Sequence, residues 1–185
     1  MDDVDVYAVW YEDGGELAYD LNDAIYSAKN KGQSARFRKF KTCSEAMEWI
    51  FSLDCKESDK SHTLHYASYY KDREGGLGIV LSMNGVVVWE CSRRVTASSQ
   101  DELDLKSLLA GLTEAHLGGI QDLEVVGNSV FAAAKVKGLI KTSGEKERIL
   151  LMDINSITKT FRTFQWRLVT PVENAMARRL ARNIV

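Results

Sequence analysis

Three cysteines and three histidines are the residues of this 185-residue chain best suited to metal binding or nucleophilic catalysis. The cysteines show no close pairing that would predict a zinc site, and their odd number does not indicate a disulfide framework. The histidines have no companions at ligand spacing. We therefore predict reduced, structural cysteines and no metal chemistry from these residues, which are Cys43, Cys55, Cys91, His62, His65 and His116.

Charge is unevenly distributed near the N-terminus. The formal net charge of −2 argues against a protein that coats nucleic acid by bulk electrostatics. Residues 2–23 nevertheless carry eight acids and no Lys or Arg, whereas residues 24–43 carry six basic residues and no acid. A local basic surface is therefore compatible with the negative net charge of the whole chain.

Length and composition indicate a folded protein with one ordinary core and a small second module. Hydrophobic residues make up 45% of the chain, and Pro171 is its single proline. No apolar run is long enough to span a bilayer, and the acidic N-terminus resembles neither a secretory signal nor a transit peptide. We expect a cytoplasmic or nuclear protein without membrane contact.

The first fifty residues or so show alternating strand and helix patterns. Residues 42–45, Thr-Cys-Ser-Glu, match a capping box and begin a helix with an apolar face that reaches Phe51. The earlier helix is capped by Asn22 or Asp20. These patterns predict a small αβ module over residues 1–53, followed by a polar linker over 54–61. Its other predicted elements are a strand over 4–10, a turn over 12–16, a helix over 21–31 and a strand, the second or third, over 35–41.

The remaining residues, 62–185, begin with three strand-like runs. Asn84 and Gly85 tolerate the positive φ of a type I′ turn and predict a hairpin. A following helix has leucines at a 3.6-residue period and is ended by two glycines, Gly118 and Gly119. The predicted strands cover 63–70, 76–83, 86–96, 123–126 and 164–170, and the predicted helices cover 101–117, 129–137, 147–160 and 173–182.

Three motifs in these elements carry a family resemblance. Residues 103–112, Leu-Asp-Leu-Lys-Ser-Leu-Leu-Ala-Gly-Leu, are followed at suitable separations by residues 123–129 and by residues 174–181, Asn-Ala-Met-Ala-Arg-Arg-Leu-Ala. In this order they resemble the first helix, fourth strand and last helix of type-1 ribonuclease H, in its plant and retroelement form. The resemblance covers residues 63–185 and implies an α/β (α+β) fold, a mixed five-stranded sheet with flanking helices.

The N-terminal module carries a second resemblance. Residues 7–9, Tyr-Ala-Val, open it, and residues 37–42, Phe-Arg-Lys-Phe-Lys-Thr, precede its last helix. Both resemble the viroplasmin-like domain that binds RNA/DNA hybrids. Leu21 stands where that family has a stacking aromatic residue, and the acidic residues 12–16 replace a basic turn, so we expect weakened hybrid binding. The nucleic-acid-binding candidates that the resemblance implies are Tyr7, Phe37, Arg38, Lys39 and Lys41.

The ribonuclease H resemblance implies a catalytic site of four carboxylates around two magnesium ions. The corresponding positions in this chain are held by Ala67 or Ser68, Asp104, Asn128 and Arg178. One acid of the four is present, and a guanidinium repels cations. We therefore predict that the Mg²⁺ site is lost, that no cofactor is bound and that no catalytic residue remains.

Two further expectations concern this site. We expect Arg178 to pair with Asp104, so that a salt bridge fills the space of the metal ions; the alternative is a solvated Arg178 on the outer face of the helix. Acids at nearby turns and caps have ordinary roles in solvation and helix capping, and we do not expect them to rebuild the site. These acids are Asp72, Glu74, Asp101 and Glu102.

Three functions follow from these patterns. The one we favour is a non-catalytic ribonuclease H-like protein of retroelement type, a pseudonuclease that acts as a nucleic-acid-binding or protein-interaction module. The alternatives are a protein scaffold that binds no nucleic acid and an active RNA/DNA-hybrid endonuclease with a rearranged metal site. The expected partners are RNA, DNA or their hybrid, and a protein. Basic residues near the C-terminus add to the candidate nucleic-acid surface: Lys159, Arg162, Arg167, Arg178, Arg179 and Arg182.

Overall fold

The computed structural model describes residues 5–12, 14–32, 34–54, 62–142 and 144–185. The chain divides into two compact units, one of Met1–Lys56 with Ala133–Lys141 and the other of Glu57–Ala132 with Thr142–Val185. Of the predicted linker, only Asp54 lies within the described residues, where it ends a helix. The domain boundaries predicted above therefore stay a prediction.

The first unit contains a three-stranded antiparallel sheet. Its strand order is β2 (Gly14–Ala18), β1 (Val6–Tyr11) and β3 (Arg36–Phe40). The predicted turn over residues 12–16 is wrong in part, because residues 14–16 belong to a strand that pairs with β1. A Cβ on Gly15 would approach Ile50 to 2.7 Å, so a residue without a side chain is needed where this strand passes a helix. The elements are β1 (Val6–Tyr11), β2 (Gly14–Ala18), α1 (Leu21–Asn30), β3 (Arg36–Phe40) and α2 (Cys43–Asp54).

Side-chain caps begin both helices of this unit. Asp20, and not Asn22, caps α1, and its carboxylate accepts a hydrogen bond from the Asn22 N–H at 2.7 Å. The capping box before α2 is confirmed: Thr42 Oγ1 accepts from the Glu45 N–H at 3.2 Å, and Glu45 Oε2 accepts from the Thr42 N–H at 3.3 Å. Local sequence therefore determines where these helices start.

The second sheet has five strands in the order β6 (Val86–Thr96), β5 (Glu74–Met83), β4 (His62–Lys71), β7 (Asp122–Gly127) and β8 (Thr163–Leu168). Strands β4, β5 and β6 are antiparallel, and β4, β7 and β8 are parallel. The predicted α/β (α+β) class, a mixed five-stranded sheet with helices and a small N-terminal αβ module, is confirmed. The elements are β4 (His62–Lys71), β5 (Glu74–Met83), β6 (Val86–Thr96), α3 (Gln100–Leu117), β7 (Asp122–Gly127), α4 (Val130–Val136), α5 (Glu145–Thr158), β8 (Thr163–Leu168) and α6 (Ala175–Arg182).

Two tight turns join the antiparallel strands. Asn84 and Gly85 have φ of 49° and 78°, as the predicted hairpin requires. Asp72 and Arg73 in the preceding turn also have positive φ, 50° and 67°, although neither is glycine. Among the described residues, no helix is long and apolar enough to cross a membrane.

Glycines on β5 allow α6 to pack directly on the sheet. A Cβ on Gly76 would lie 1.8 Å from the Ala181 carbonyl oxygen, and one on Gly78 would lie 1.9 Å from that of Ala177. No side chain fits in either gap, so the helix backbone rests on the strand backbone. On the neighbouring strand, Ala67 belongs to the buried cluster that includes Ala177. This close contact sets the position of α6 relative to β4.

Candidate functional site

Asp104 is the one acid at the four positions implied by the family resemblance, and it lies on α3 with 8% of its surface exposed. Its carboxylate accepts hydrogen bonds from the Ser68 hydroxyl of β4 and from Gln100 Nε2, the latter at 2.8 Å. The Ser129 hydroxyl, beyond the end of β7, also bonds to it. Neutral donors from β4, from the first turn of α3 and from the loop after β7 thus surround a single buried carboxylate.

Burial raises the pKa of Asp104, and hydrogen bonds from Ser129, Ser68 and Gln100 lower it only in part. The negative charge of the neighbouring Asp101 raises it further. Within the described part of the chain, no cationic side chain forms an ion pair with Asp104. Its negative charge is therefore stabilised by dipoles alone.

A neutral hydrogen-bond network occupies the position of Asn128. Asn174, which is 1% exposed, donates through Nδ2 to Asn128 Oδ1 at 2.9 Å and to the Tyr66 carbonyl oxygen at 2.8 Å. Its Oδ1 lies 3.4 Å from His65 Nδ1. Burial lowers the pKa of His65, which favours the neutral imidazole. The sequence does not predict Asn174 or His65 as site residues, because nothing in the local sequence indicates which partners they meet.

Ala67 and Ser68 point to opposite sides of β4, as consecutive strand residues do. Ala67 is buried with Val80 and Ala177, whereas the Ser68 hydroxyl bonds to Asp104. The structure therefore brings Ser68, and not Ala67, to the carboxylate. Helices α3 and α6 consequently lie on opposite faces of the sheet.

The predicted salt bridge between Arg178 and Asp104 is wrong. Arg178 Nη1 donates instead to the Pro171 carbonyl oxygen at 3.1 Å, and none of the ion pairs among the described residues joins it to Asp104. The physical reason is the placement of the two helices, because β4 lies between the face that carries α3 and the face that carries α6. Arg178 is half-buried and bonded to a backbone carbonyl, so the alternative of a solvated Arg178 on the outer helix face describes it only in part.

Two of the four neighbouring acids, Glu74 and Glu102, are paired with cations away from Asp104. Glu74 forms an ion pair with Arg94 at 3.3 Å, and Glu102 forms one with Lys106 at 2.6 Å. Among the described residues, no group of three or more His, Cys, Asp or Glu side chains can hold a metal ion. Mg²⁺ prefers several oxygen ligands with carboxylates among them, and one carboxylate surrounded by neutral donors does not fit it.

The structure divides the nucleic-acid candidates of the first unit between two faces of its sheet. Tyr7 is paired with Lys39 and Val9 with Phe37, so Tyr7, Phe37 and Lys39 share one face. Phe37 is 44% exposed, and Lys39 forms an ion pair with Asp5 at 2.5 Å. Arg38 lies on the opposite face with its guanidinium 5.4 Å from the Phe40 ring centroid, and Lys41 follows the end of the strand.

The basic residues near the C-terminus are partly neutralised. Arg162 forms an ion pair with Asp122, and Arg167 forms one with Glu124 at 3.1 Å. The guanidinium of Arg182 lies 5.5 Å from the centroid of an aromatic ring, that of Tyr69. Several of these cations therefore already have partners, which reduces the positive charge available to a nucleic acid. The described cysteines, Cys43 and Cys91, are free thiols, and Cys55 lies outside the described residues.

Similar structures were found among solved ribonucleases H. The N-terminal RNase H domain of a Mycobacterium tuberculosis protein is 19% identical, with a TM-score of 0.63 over 66% of this chain and 97% of that one. RNase H1 of Halobacterium salinarum is 20% identical, with a TM-score of 0.62 over 65% and 93% of the two chains. LC11-RNase H1, solved with an RNA/DNA hybrid, is 16% identical, with a TM-score of 0.61 over 67% and 96%.

The family itself is shown by sequence. No match was found among the curated proteins. A family model described as reverse transcriptase-like, however, matches residues 66–184, which is well over half of the chain. The structural matches agree with it in fold, because each covers nearly the whole of a ribonuclease H domain. The chain therefore belongs to the reverse transcriptase-like family, and this part of it forms a ribonuclease H-like domain.

Proposed function

We propose that the ribonuclease H-like domain is a pseudonuclease that does not hydrolyse nucleic acid. The observation that carries this proposal is the surroundings of Asp104, a single buried carboxylate that accepts hydrogen bonds from the hydroxyl of Ser68 and the amide of Gln100. Hydrolysis by two metal ions needs several anionic oxygens to hold both cations and to activate water. A single carboxylate surrounded by neutral donors can neither hold two cations nor activate water.

The two remaining positions support the same conclusion. The Asn128 side chain accepts a hydrogen bond from Asn174, so its oxygen is already engaged by a neutral donor. Arg178 supplies no carboxylate at the fourth position, and its guanidinium bonds to a backbone carbonyl. Restoring a metal site would therefore require changes at Ser68, Asn128 and Arg178 together.

A hydrolysis assay on an RNA/DNA hybrid with Mg²⁺ or Mn²⁺ tests the proposal. We expect no cleavage by the wild-type protein beyond that of Asp104→Asn, the matched variant that lacks the last acid. Wild-type cleavage that Asp104→Asn abolishes would show an active enzyme and overturn the proposal. As a complement, we expect Ser68→Asp, Asn128→Asp and Arg178→Asp combined to bind Mn²⁺ by calorimetry more tightly than the wild type.

We further propose that the protein has kept a binding role, with nucleic acid contacting the first unit. The exposed ring of Phe37 shares a face with Lys39 and Tyr7, and such a face offers stacking together with positive charge. LC11-RNase H1, a structural relative of the other unit, was solved with an RNA/DNA hybrid. The resemblance of the first unit to the viroplasmin-like domain points to the same class of ligand.

The second candidate is a protein scaffold without nucleic-acid binding. It is favoured by the ion pairs that occupy the basic side chains, among them Lys39 with Asp5 and Arg167 with Glu124. Phosphate contacts would have to compete with these carboxylates. The acidic balance of the whole chain also suits a protein partner better than a polyanion.

A fluorescence titration with hybrid, single-stranded RNA and DNA at two salt concentrations separates the two candidates. If nucleic acid is bound, affinity falls steeply with salt, and Lys39→Ala reduces the salt slope by about one. Lys29→Ala, which removes an exposed lysine from α1, is the matched control and should leave the slope unchanged. Binding that is absent at low salt would leave the scaffold as the function.

A further inference from the structure

Among the described residues, no strand pairs with the outer edge of β6, because the sheet order places β6 at the end next to β5. The strand is 11 residues long. Next to the β5–β6 turn it exposes three consecutive valines, Val86, Val87 and Val88, with 66%, 41% and 51% of their surfaces accessible. A long edge strand presents a row of free backbone donors and acceptors that can pair with another strand.

The regular part of this edge runs from residue 89 to residue 96. A register shift interrupts the pairing with β5, because Leu81 lies opposite Trp89 while Ser82 lies opposite Val87, which leaves Val88 as a bulge. A bulge disturbs the regular spacing of backbone donors and acceptors around Val88, and therefore hinders pairing at that end of the strand. A second strand would therefore pair most readily with residues 89–96.

Side chains alternate along the regular part. Ser92 and Arg94 lie on the α6 face, where Ser92 Oγ donates to the Leu180 carbonyl oxygen at 2.7 Å and Arg94 Nε donates to that of Ile184 at 2.9 Å. Glu90 lies on the same face by its two-residue spacing and is exposed. This face of β6 thus carries a negative and a positive side chain on either side of Ser92.

We propose that β6 pairs antiparallel with β6 of a second copy of this chain, about a two-fold axis at Ser92. In that register Glu90 lies opposite Arg94 of the second copy, and the symmetry repeats the pair. On the other face Trp89 lies opposite Val95 of the second copy. Opposite charges, and an aromatic residue facing a β-branched one, are both favourable cross-strand pairs.

The neighbouring registers are less favourable. An axis at Cys91 places Glu90 opposite Ser92 and removes the ion pair. An axis at Arg93 places the two Arg93 side chains directly opposite each other, and like charges repel in that position. Charges on an edge strand usually prevent pairing with a foreign strand. Here they complement a second copy, so they select the register while still disfavouring other strands.

Arg94 has the capacity for the additional contact. Its Nη1 lies 3.3 Å from Glu74, and its side chain is 55% exposed. A guanidinium has five N–H donors, so the contacts with Glu74 and the Ile184 carbonyl leave donors for Glu90 of the second copy. A contact between two edge strands buries little area, so we expect a dissociation constant on the order of micromolar and a dimer weakened by salt.

Analytical ultracentrifugation of the full chain over a concentration series tests the dimer. We expect the wild type to dimerise, Glu90→Arg to weaken dimerisation by at least about tenfold, and Glu90→Arg with Arg94→Glu to restore it. Glu48→Arg, the same charge change at an exposed position of α2, should leave dimerisation unchanged. A wild-type protein that stays monomeric at about 100 µM overturns the proposal, whereas a dimer insensitive to Glu90→Arg refutes this interface.

Disulfide crosslinking tests the register independently of charge. Residues directly opposite each other in an antiparallel pair have Cα atoms about 4.5–5.5 Å apart, which suits a disulfide. In a Cys91→Ser background, Ser92→Cys should therefore crosslink across the two-fold axis under mild oxidation. Thr96→Cys in the same background lies far from its own copy and should not. Equal crosslinking by both variants, or rapid crosslinking of native Cys91, would contradict the axis at Ser92.

Discussion

Glu102 and Asp104 lie two residues apart on α3 and are both buried, yet their pKa values are shifted in opposite directions. Burial raises the pKa of Glu102, but hydrogen bonds from Lys106 and from the Ser98 N–H more than offset this and lower it to about 2. Burial also raises the pKa of Asp104, and its neutral donors do not offset that effect. Glu102 has a cation and a backbone N–H as partners, whereas Asp104 has only neutral side-chain donors against a stronger effect of burial.

The two acids therefore differ in their effect on stability: the charge of Glu102 stabilises the fold, whereas the charge of Asp104 destabilises it. Lys106 Nζ lies 2.6 Å from Glu102 and also donates to the Thr96 carbonyl oxygen at 2.7 Å, so the ion pair joins the end of β6 to the helix. Asp104 occupies the one family position that is still acidic, and its charge costs stability. A buried acid whose charge costs stability is typical of a functional site.

The largest effect is expected from Lys106→Met, which leaves the Glu102 carboxylate buried without its cation. The free energy of unfolding should fall by about 2–3 kcal/mol at pH 7, because an unpaired buried charge is costly. Urea denaturation measures the change. Lys29→Met, at an exposed lysine of α1, is the control and should change stability by less than about 0.5 kcal/mol. Equal effects of the two variants would mean that the ion pair does not stabilise the fold.

Glu102→Gln removes the charge but keeps the shape, and it should lower the free energy of unfolding by about 1–2 kcal/mol at pH 7. The folded pKa of about 2 lies below the ordinary value of 4.5, so the ionised form stabilises the fold above about pH 4.5. That contribution is lost as the pH falls toward 2. Denaturation at a series of pH values should therefore show a shrinking difference, and a constant difference would contradict a role of the charge.

Asp104→Asn should raise the free energy of unfolding at pH 7, by about 0.5–1 kcal/mol. Because the folded pKa is raised above 3.8, the stability contributed by the protonated form is present below that value and is lost as the pH rises through the folded pKa. The gain should therefore disappear near pH 3. Asp153→Asn, at an exposed acid of α5, provides the comparison. A loss of stability at pH 7 would show that the carboxylate charge is stabilising after all.

The smallest effect is expected from Ser68→Ala, which removes one neutral donor from Asp104. The pKa of Asp104 should rise further, and the free energy of unfolding should change by less than about 1 kcal/mol. A carboxyl titration followed by nuclear magnetic resonance measures the pKa. Ser44→Ala, at a serine hydroxyl that bonds to Glu48 on α2, is the control and should leave the pKa of Asp104 unchanged. An unchanged pKa in Ser68→Ala would place the Ser68 hydroxyl away from the carboxylate.

Features of the fold that depend on a few neighbouring residues were predictable. Residues 42–45 form the capping box, and Asn84 with Gly85 forms the hairpin turn. The leucine period of α3 likewise predicts its buried face, and the helix ends at Leu117, directly before Gly118, as expected. Each of these signals acts within one turn or one helix, so no distant contact is needed to interpret it.

Features that depend on distant contacts were not predictable in the same way. Gly14 and Gly15 belong to β2 because this segment pairs with β1 and Gly15 packs against Ile50. The local sequence is acidic and glycine-rich, and it indicates neither the pairing nor the packing. The hydrogen bonds of Asn174 join three elements, and the Arg178 guanidinium bonds to the loop before α6. Charge alone predicted the wrong partner for Arg178, because it does not indicate which face of the sheet carries each helix.

The sequence by itself determined the order and type of the elements over residues 62–185 and the residues that stand at the four family positions. Caps, turns and apolar periodicity act over short distances, so the chain specifies them locally. Only the tertiary structure decided that Ser68 meets Asp104 while Ala67 packs against α6. One step along a strand reverses the face of a side chain, and which face meets which helix depends on the packing of the whole domain.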